Sequence, residues 1–111
     1  MELDVRTEQA GASCTVALAG EIDVYTSPRL KQELLDLIDG GCVDIVIDLD
    51  ALSFIDSSGL GVLVSGLRRA KEHGGTLRLI CTNESILKIF RITGLDKVFP
   101  LFATIEEARG F

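Results

Sequence analysis

Apolar and polar positions alternate along this chain with two different periods, and the changes of period mark its elements. "LDVRTEQ" (3–9) alternates weakly and "CTVALAG" (14–20) more clearly, so both read as strands joined by the turn "QAGAS" into an antiparallel hairpin. "TSPRLKQELLDLIDGG" then shifts to the helical period. Leu30, Leu34, Leu37 and Ile38 form an apolar stripe, Ser27 is placed to cap it, Pro28 fits the first turn and Gly40 stops it. "VDIVIDLDAL" (43–52) is a run of Val, Ile and Leu typical of a buried strand, and a second helix is expected over 58–73. "TLRLIC" (76–81) reads as a strand and "NESILKIFRITG" as a helix capped by Asn83 and closed by Gly94. "KVFPL" (97–101) is expected to be a short strand. "TIEEA" opens a last helix in which Thr104 and Glu107 have capping-box spacing.

The order β-β-α-β-α-β-α-β-α calls for an α/β fold: a mixed, largely parallel sheet with an antiparallel N-terminal edge strand, covered by about four helices. No repeat, linker or low-complexity segment divides 1–111, so a single domain is expected. In such sheets ligands and partners meet the loops at the carboxyl ends of the strands. Two loops stand out there: "GEIDVYTS", with Glu21, Asp23, Tyr25, Thr26 and Ser27, and the "DSSG" that opens the second helix.

Composition narrows the classes of function. The formal net charge is −6, and the 11 basic residues are scattered. Both features disfavour nucleic acid and anionic membrane as partners. No stretch approaches the roughly 20 apolar residues of a membrane span, and the N-terminus has no apolar signal region, so a cytoplasmic protein is expected. The three cysteines, Cys14, Cys42 and Cys81, fit neither a disulfide framework nor a zinc site by number and spacing; buried free thiols are the expectation.

Ser57 is the residue on which the chemistry turns. Its plain structural role is to cap the second helix. As a nucleophile it would need a base, and the one histidine, His73, lies about 24 Å along the same helix. His73 suits the negative helix C-terminus instead. The elbow pattern GxSxG is absent, GxGxxG breaks at Val64, and no GK[ST] occurs. Neither an enzyme nor a nucleotide or metal cofactor is implied. A phosphoryl group on Ser57 would add about −1.5 to −2 charges to an acidic edge. Along the helix, Leu60, Leu63, Val64 and Leu67 face the core, whereas Ser58, Gly61, Ser65 and Arg68 make a stripe of mostly small side chains. That stripe admits close approach of another backbone, from a partner or from within the domain.

The combination of "LAGEIDVYTSPRLKQEL", "LSFIDSSGLGVLV" and "ILKIFRITGLDKVF" resembles an anti-sigma factor antagonist of the STAS domain type, over essentially the whole chain. The resemblance implies a partner-switching regulator. Unphosphorylated, such an antagonist binds an anti-sigma factor that is also a serine kinase, freeing the sigma factor. The kinase phosphorylates the serine matching Ser57, the complex parts, and a PP2C-type phosphatase restores it. It also implies that Asp23 lies near the phosphoserine. The partner-facing set on this reading is Asp23, Tyr25, Thr26, Asp56, Ser58, Gly59, Gly61 and Ser65. Two alternatives stay open: a STAS module serving a partner unrelated to sigma factors, and a receiver-like domain phosphorylated on Asp56, with Glu21, Asp23 and Lys97 completing its site.

Overall fold

A computed structural model describes residues 2–110. The sheet has five strands in the order β1-β2-β3-β4-β5: Leu3–Ala10, Ser13–Ile22, Asp44–Ile55, Thr76–Ile80 and Leu101–Phe102. β1 pairs antiparallel with β2 through a turn at Gly11, whose φ of +63° suits glycine, and every later pairing is parallel. Four helices complete the chain: α1 (Ser27–Asp39), α2 (Ser57–Glu72), α3 (Glu84–Thr93) and α4 (Ile105–Arg109). This is the expected architecture.

Strand alternation divides the core between the two faces of the sheet. Ile45, Ile47 and Leu49 of β3 join Val16 and Leu18 of β2 beneath Leu30, Leu34 and Ile38 of α1 and Leu63 and Leu67 of α2. On the opposite face Val46, Ile80 and Ala108 form a smaller cluster with Phe102 and Ile105, which holds α4 against the sheet. None of the described helices is long and apolar enough to cross a membrane.

β3 runs three residues past its expected end. Its pairing with β2 slips twice, between Ala17 and Ala19 and between Gly20 and Glu21, with β3 carrying the extra residue each time. Such bulges break the two-residue period. They let Leu49, Leu52 and Ile55, three apart, all face the core and turn Phe54 outward. The expected strand at "KVFPL" is also displaced. Left-handed Gly94 (φ +75°) turns the chain into a 3-10 turn at Leu95–Lys97, and Phe99 packs edge-on against Phe90 with centroids 6.0 Å apart. The strand begins only after Pro100, whose carbonyl accepts from the Leu79 amide. Ile92, on the outer side of α3, is 74% exposed.

The caps of α3 and α4 fall where expected. Asn83 accepts from the Ser85 amide, and Thr104 from the Glu107 amide. Those of α1 and α2 fall one residue earlier than expected. Thr26, not Ser27, is the N-cap of α1, and Asp56, not Ser57, is the N-cap of α2. Asp56 has extended backbone geometry, and its Oδ1 accepts from the amides of Ser58 (2.9 Å) and Gly59 (3.2 Å) and from the Ser58 hydroxyl. Charge makes the aspartate the better acceptor for amides at the positive helix end. Ser57 is thereby left as the first residue inside the helix.

The cysteines depart from expectation as well. Cys14 and Cys42 form a disulfide, with Cα atoms 6.2 Å apart, and Cys81 alone is free. The chain after α1 returns beside the start of β2, where the Val43 and Asp44 amides both reach the Ala12 carbonyl. Parallel register then places Ile45 opposite Cys14 and brings Cys42 within bonding range. Burial pushes the Cys81 thiol above its ordinary pKa, which keeps it a packing residue of low reactivity.

Two predictions follow from these ties. Closing a loop across a separation of 28 residues constrains the unfolded chain by roughly 3–4 kcal/mol. Reduction is therefore expected to lower the urea midpoint of the wild type, with no further fall in Cys42→Ser; equal midpoints with and without reductant would refute the contribution. Asp56 supplies the second. Chiefly the Ser58 hydroxyl, opposed by partial burial and aided by the Gly59 and Ser58 amides, holds its carboxyl below the ordinary pKa. The folded chain thus binds fewer protons there than the unfolded chain. The contribution is complete above the ordinary value and disappears as pH falls through the depressed one. The stability difference between wild type and Asp56→Ala is expected to narrow as pH falls below the ordinary carboxylate range, as measured by denaturation at each pH.

Candidate functional site

The ends of β2 and β3 lie side by side, and everything at the site hangs on that pairing. Ile22 and Ile55 are opposite one another, and the Asp56 amide donates to the Ile22 carbonyl (3.1 Å). The two segments singled out in the sequence are therefore neighbours at the carboxyl edge of the sheet. Gly59 completes the junction. A Cβ there would stand 2.6 Å from Ile22 Cγ2 and 2.8 Å from Ile55 Cγ1, so only glycine lets the first turn of α2 seat on both strand ends.

The 23–26 loop is a tight knot of its own hydrogen bonds. Asp23 Oδ1 accepts from the amides of Tyr25 (2.8 Å) and Thr26 (2.9 Å). The Thr26 hydroxyl donates to the Glu21 carbonyl and accepts from the Asp23 amide, both at 2.9 Å. This is an Asx-type turn, in which a side-chain oxygen does the work of a backbone carbonyl. Asp23 is accordingly only 4% exposed, and its Oδ2 is buried with no partner among the described residues. The structure places Asp23 and Thr26 beneath the loop as its supports. What the loop presents outward is Val24, 62% exposed, and Tyr25, 86% exposed. Val24 was not among the residues named from sequence; an apolar residue inside an otherwise polar turn was the signal available.

The DSSG segment presents its residues unequally. Ser57 is exposed, and its hydroxyl makes no hydrogen bond among the described residues, whereas Ser58 is half-buried with its hydroxyl held by Asp56. Along α2, Gly61 is exposed with open space where a Cβ would stand, and Ser65 is half-buried. The small-residue stripe thus runs outward from the Ser57 end. Gly59 and Gly66 are buried instead, Gly66 between Leu34 and Leu77, so these two serve packing within the domain.

The two segments that meet here carry charged residues of one sign only. Neither 20–27 nor 53–67 contains Lys or Arg, while Glu21, Asp23 and Asp56 are all present. His73 caps the far end of α2, its Nδ1 3.0 Å from the Arg69 carbonyl, and cannot reach Ser57. The receiver-like alternative requires a free carboxylate on Asp56. Here that carboxylate is committed to capping α2, and Asp23 is committed to its own turn. Among the described residues, no group of three or more His, Cys, Asp and Glu is placed to hold a metal ion.

Comparison with known proteins agrees with this geometry. The family model described as "STAS domain" matches residues 4–108. An anti-sigma-B factor antagonist of Bacillus subtilis (strain 168) is 38% identical over 106 residues, covering 96% of each chain. The crystal structure of an anti-sigma factor antagonist from Mycobacterium paratuberculosis superposes with a TM-score of 0.88 at 28% identity, covering 98% of this chain and 92% of the other. The Bacillus cell fate determinant SpoIIAA, solved in its phosphorylated form, gives a TM-score of 0.75 at 25% identity, covering 96% and 97%. With its mixed sheet, its helices and the full span of its match, the chain belongs to the STAS domain family, among relatives that are anti-sigma factor antagonists and not enzymes.

Proposed function

We propose that this chain is a cytoplasmic anti-sigma factor antagonist switched by phosphorylation of Ser57. Unphosphorylated, it binds an anti-sigma factor with serine kinase activity and so releases the sigma factor; a PP2C-type phosphatase reverses the mark. The observation that carries this reading is the Ser57 hydroxyl, exposed and unbonded at the start of α2, at the same sheet edge from which the loop with the outward Val24 and Tyr25 leaves. The similarity to SpoIIAA, a protein solved in a phosphorylated form, supports it.

The physics of release follows from what surrounds Ser57. A phosphoserine at a helix N-terminus ordinarily gains from free amides and the helix dipole. Here Asp56 already holds the Ser58 and Gly59 amides, and no cation lies in either segment. The new charge therefore adds to the acidic charge these segments already carry. Juxtaposing like charges there costs several kcal/mol, comparable to the roughly 5.5 kcal/mol that fully reverses a two-state balance.

Incubation with a candidate anti-sigma kinase and ATP is expected to place one phosphate, on Ser57. Ser57→Asp is expected to weaken binding to that kinase at least about 100-fold, near 3 kcal/mol, while Ser57→Ala binds like wild type and accepts no phosphate. Equal affinities for wild type and Ser57→Asp in a calorimetric titration would defeat the switch. Capture of a partner with no relation to a sigma factor would instead assign the module elsewhere. Tyr25→Ala is expected to weaken the same complex by about 1–2 kcal/mol, as truncation of an exposed aromatic anchor does, with an unchanged denaturation midpoint.

A further inference from the structure

The sequence offers a kinase two adjacent serines, and the fold does not treat them alike. We propose that Asp56 is the residue that selects between them, sequestering Ser58 so that Ser57 alone receives phosphate; the inference rests on the function proposed above and deepens it. Three observations carry it. Ser58 is held twice by one oxygen, since both its amide (2.9 Å) and its hydroxyl reach Asp56 Oδ1. Ser57 is exposed and its hydroxyl unbonded, whereas Ser58 is half-buried. The carboxylate responds to the contact, for the Ser58 hydroxyl is the largest cause of its lowered pKa.

The chemistry of transfer makes this arrangement selective. The serine oxygen attacks the γ-phosphorus of ATP, a new O–P bond forms, and the bond to the β-phosphate oxygen breaks. ADP leaves, and the hydroxyl proton passes to a base on the kinase. Ser57 can turn its oxygen toward an incoming γ-phosphoryl without losing any contact. Ser58 must first break its bond to Asp56, and its oxygen then meets the phosphoryl beside an ionised carboxylate that repels it. Losing one hydrogen bond to a charged group corresponds to about 10- to 100-fold in rate.

Two substitutions separate this role from simple capping. Asp56→Asn keeps an oxygen able to accept from the amides and the hydroxyl, and asparagine is a good N-cap. Asp56→Gly abolishes the acceptor while keeping a residue that is tolerated at N-caps. With a candidate anti-sigma kinase and γ-labelled ATP, followed by mass-spectrometric mapping, wild type and Asp56→Asn are expected to carry phosphate on Ser57 alone. Asp56→Gly is expected to carry it on both serines, Ser58 rising about 10-fold or more over its level in wild type. Ser57→Ala should remain unlabelled, and the double variant Ser57→Ala with Asp56→Gly should gain label on Ser58. Denaturation midpoints verify that each variant is folded. Label confined to Ser57 in folded Asp56→Gly, with none on the double variant, overturns the selection by Asp56 and leaves the proposed function standing. A wild type that accepts no phosphate overturns the switch itself and the selection with it.

Discussion

The parallel pairing of β2 with β3 at their carboxyl ends is the constraint on which this site depends. A single residue pair, Ile22 opposite Ile55, fixes where two segments leave the sheet. From that point one chain folds into the Asp23 turn and the other enters α2, and the Asp56 amide ties them together. Because both exits are set by the sheet, the loop and the helix start are positioned by the rigid part of the molecule. The bulges of β3 are part of the same device, since without them Ile55 would not face the core at the point where α2 begins.

Such a base suits a surface whose chemistry changes while its shape persists. The Asx turn satisfies its own amides, and Asp56 satisfies those of α2, so neither element needs a phosphate to form. The outward groups, Val24, Tyr25 and the Ser57 hydroxyl, are those that contribute least to the fold. Stability thereby rests on Asp23 and Asp56, and the groups that the proposed switch would use carry no structural duty.

Much of this was legible in the sequence, and the failures have common causes. Periodicity and punctuation located the first four strands and the first three helices, because burial sets the period directly, and capping-box spacing located the last helix. The cap of α4 was legible because Thr104 stands alone as a capping residue at its helix start, and that of α3 because Asn83 is the strongest capping residue in "TNES". In "TS" and "DSS" several residues are competent to cap, and only the backbone decides, so Ser27 and Ser57 were preferred to Thr26 and Asp56. The end of β3 was hidden because bulges erase alternation. The Cys14–Cys42 bond was hidden because parallel register, not spacing along the chain, makes the two residues neighbours. Of the site, Tyr25, Ser57 and Gly61 lie on the surface as the sequence suggested, while burial of Asp23 and exposure of Val24 depend on how one turn closes.

The disulfide and the site occupy opposite ends of the sheet, yet the ring that the bond closes contains the whole of the 23–26 loop together with α1. A protease that cut the chain between the exposed Val24 and Tyr25 would therefore leave two fragments still covalently joined. Such a nicked molecule would stay a single covalent species until reduced, with its most exposed loop open and its two fragments unable to diffuse apart.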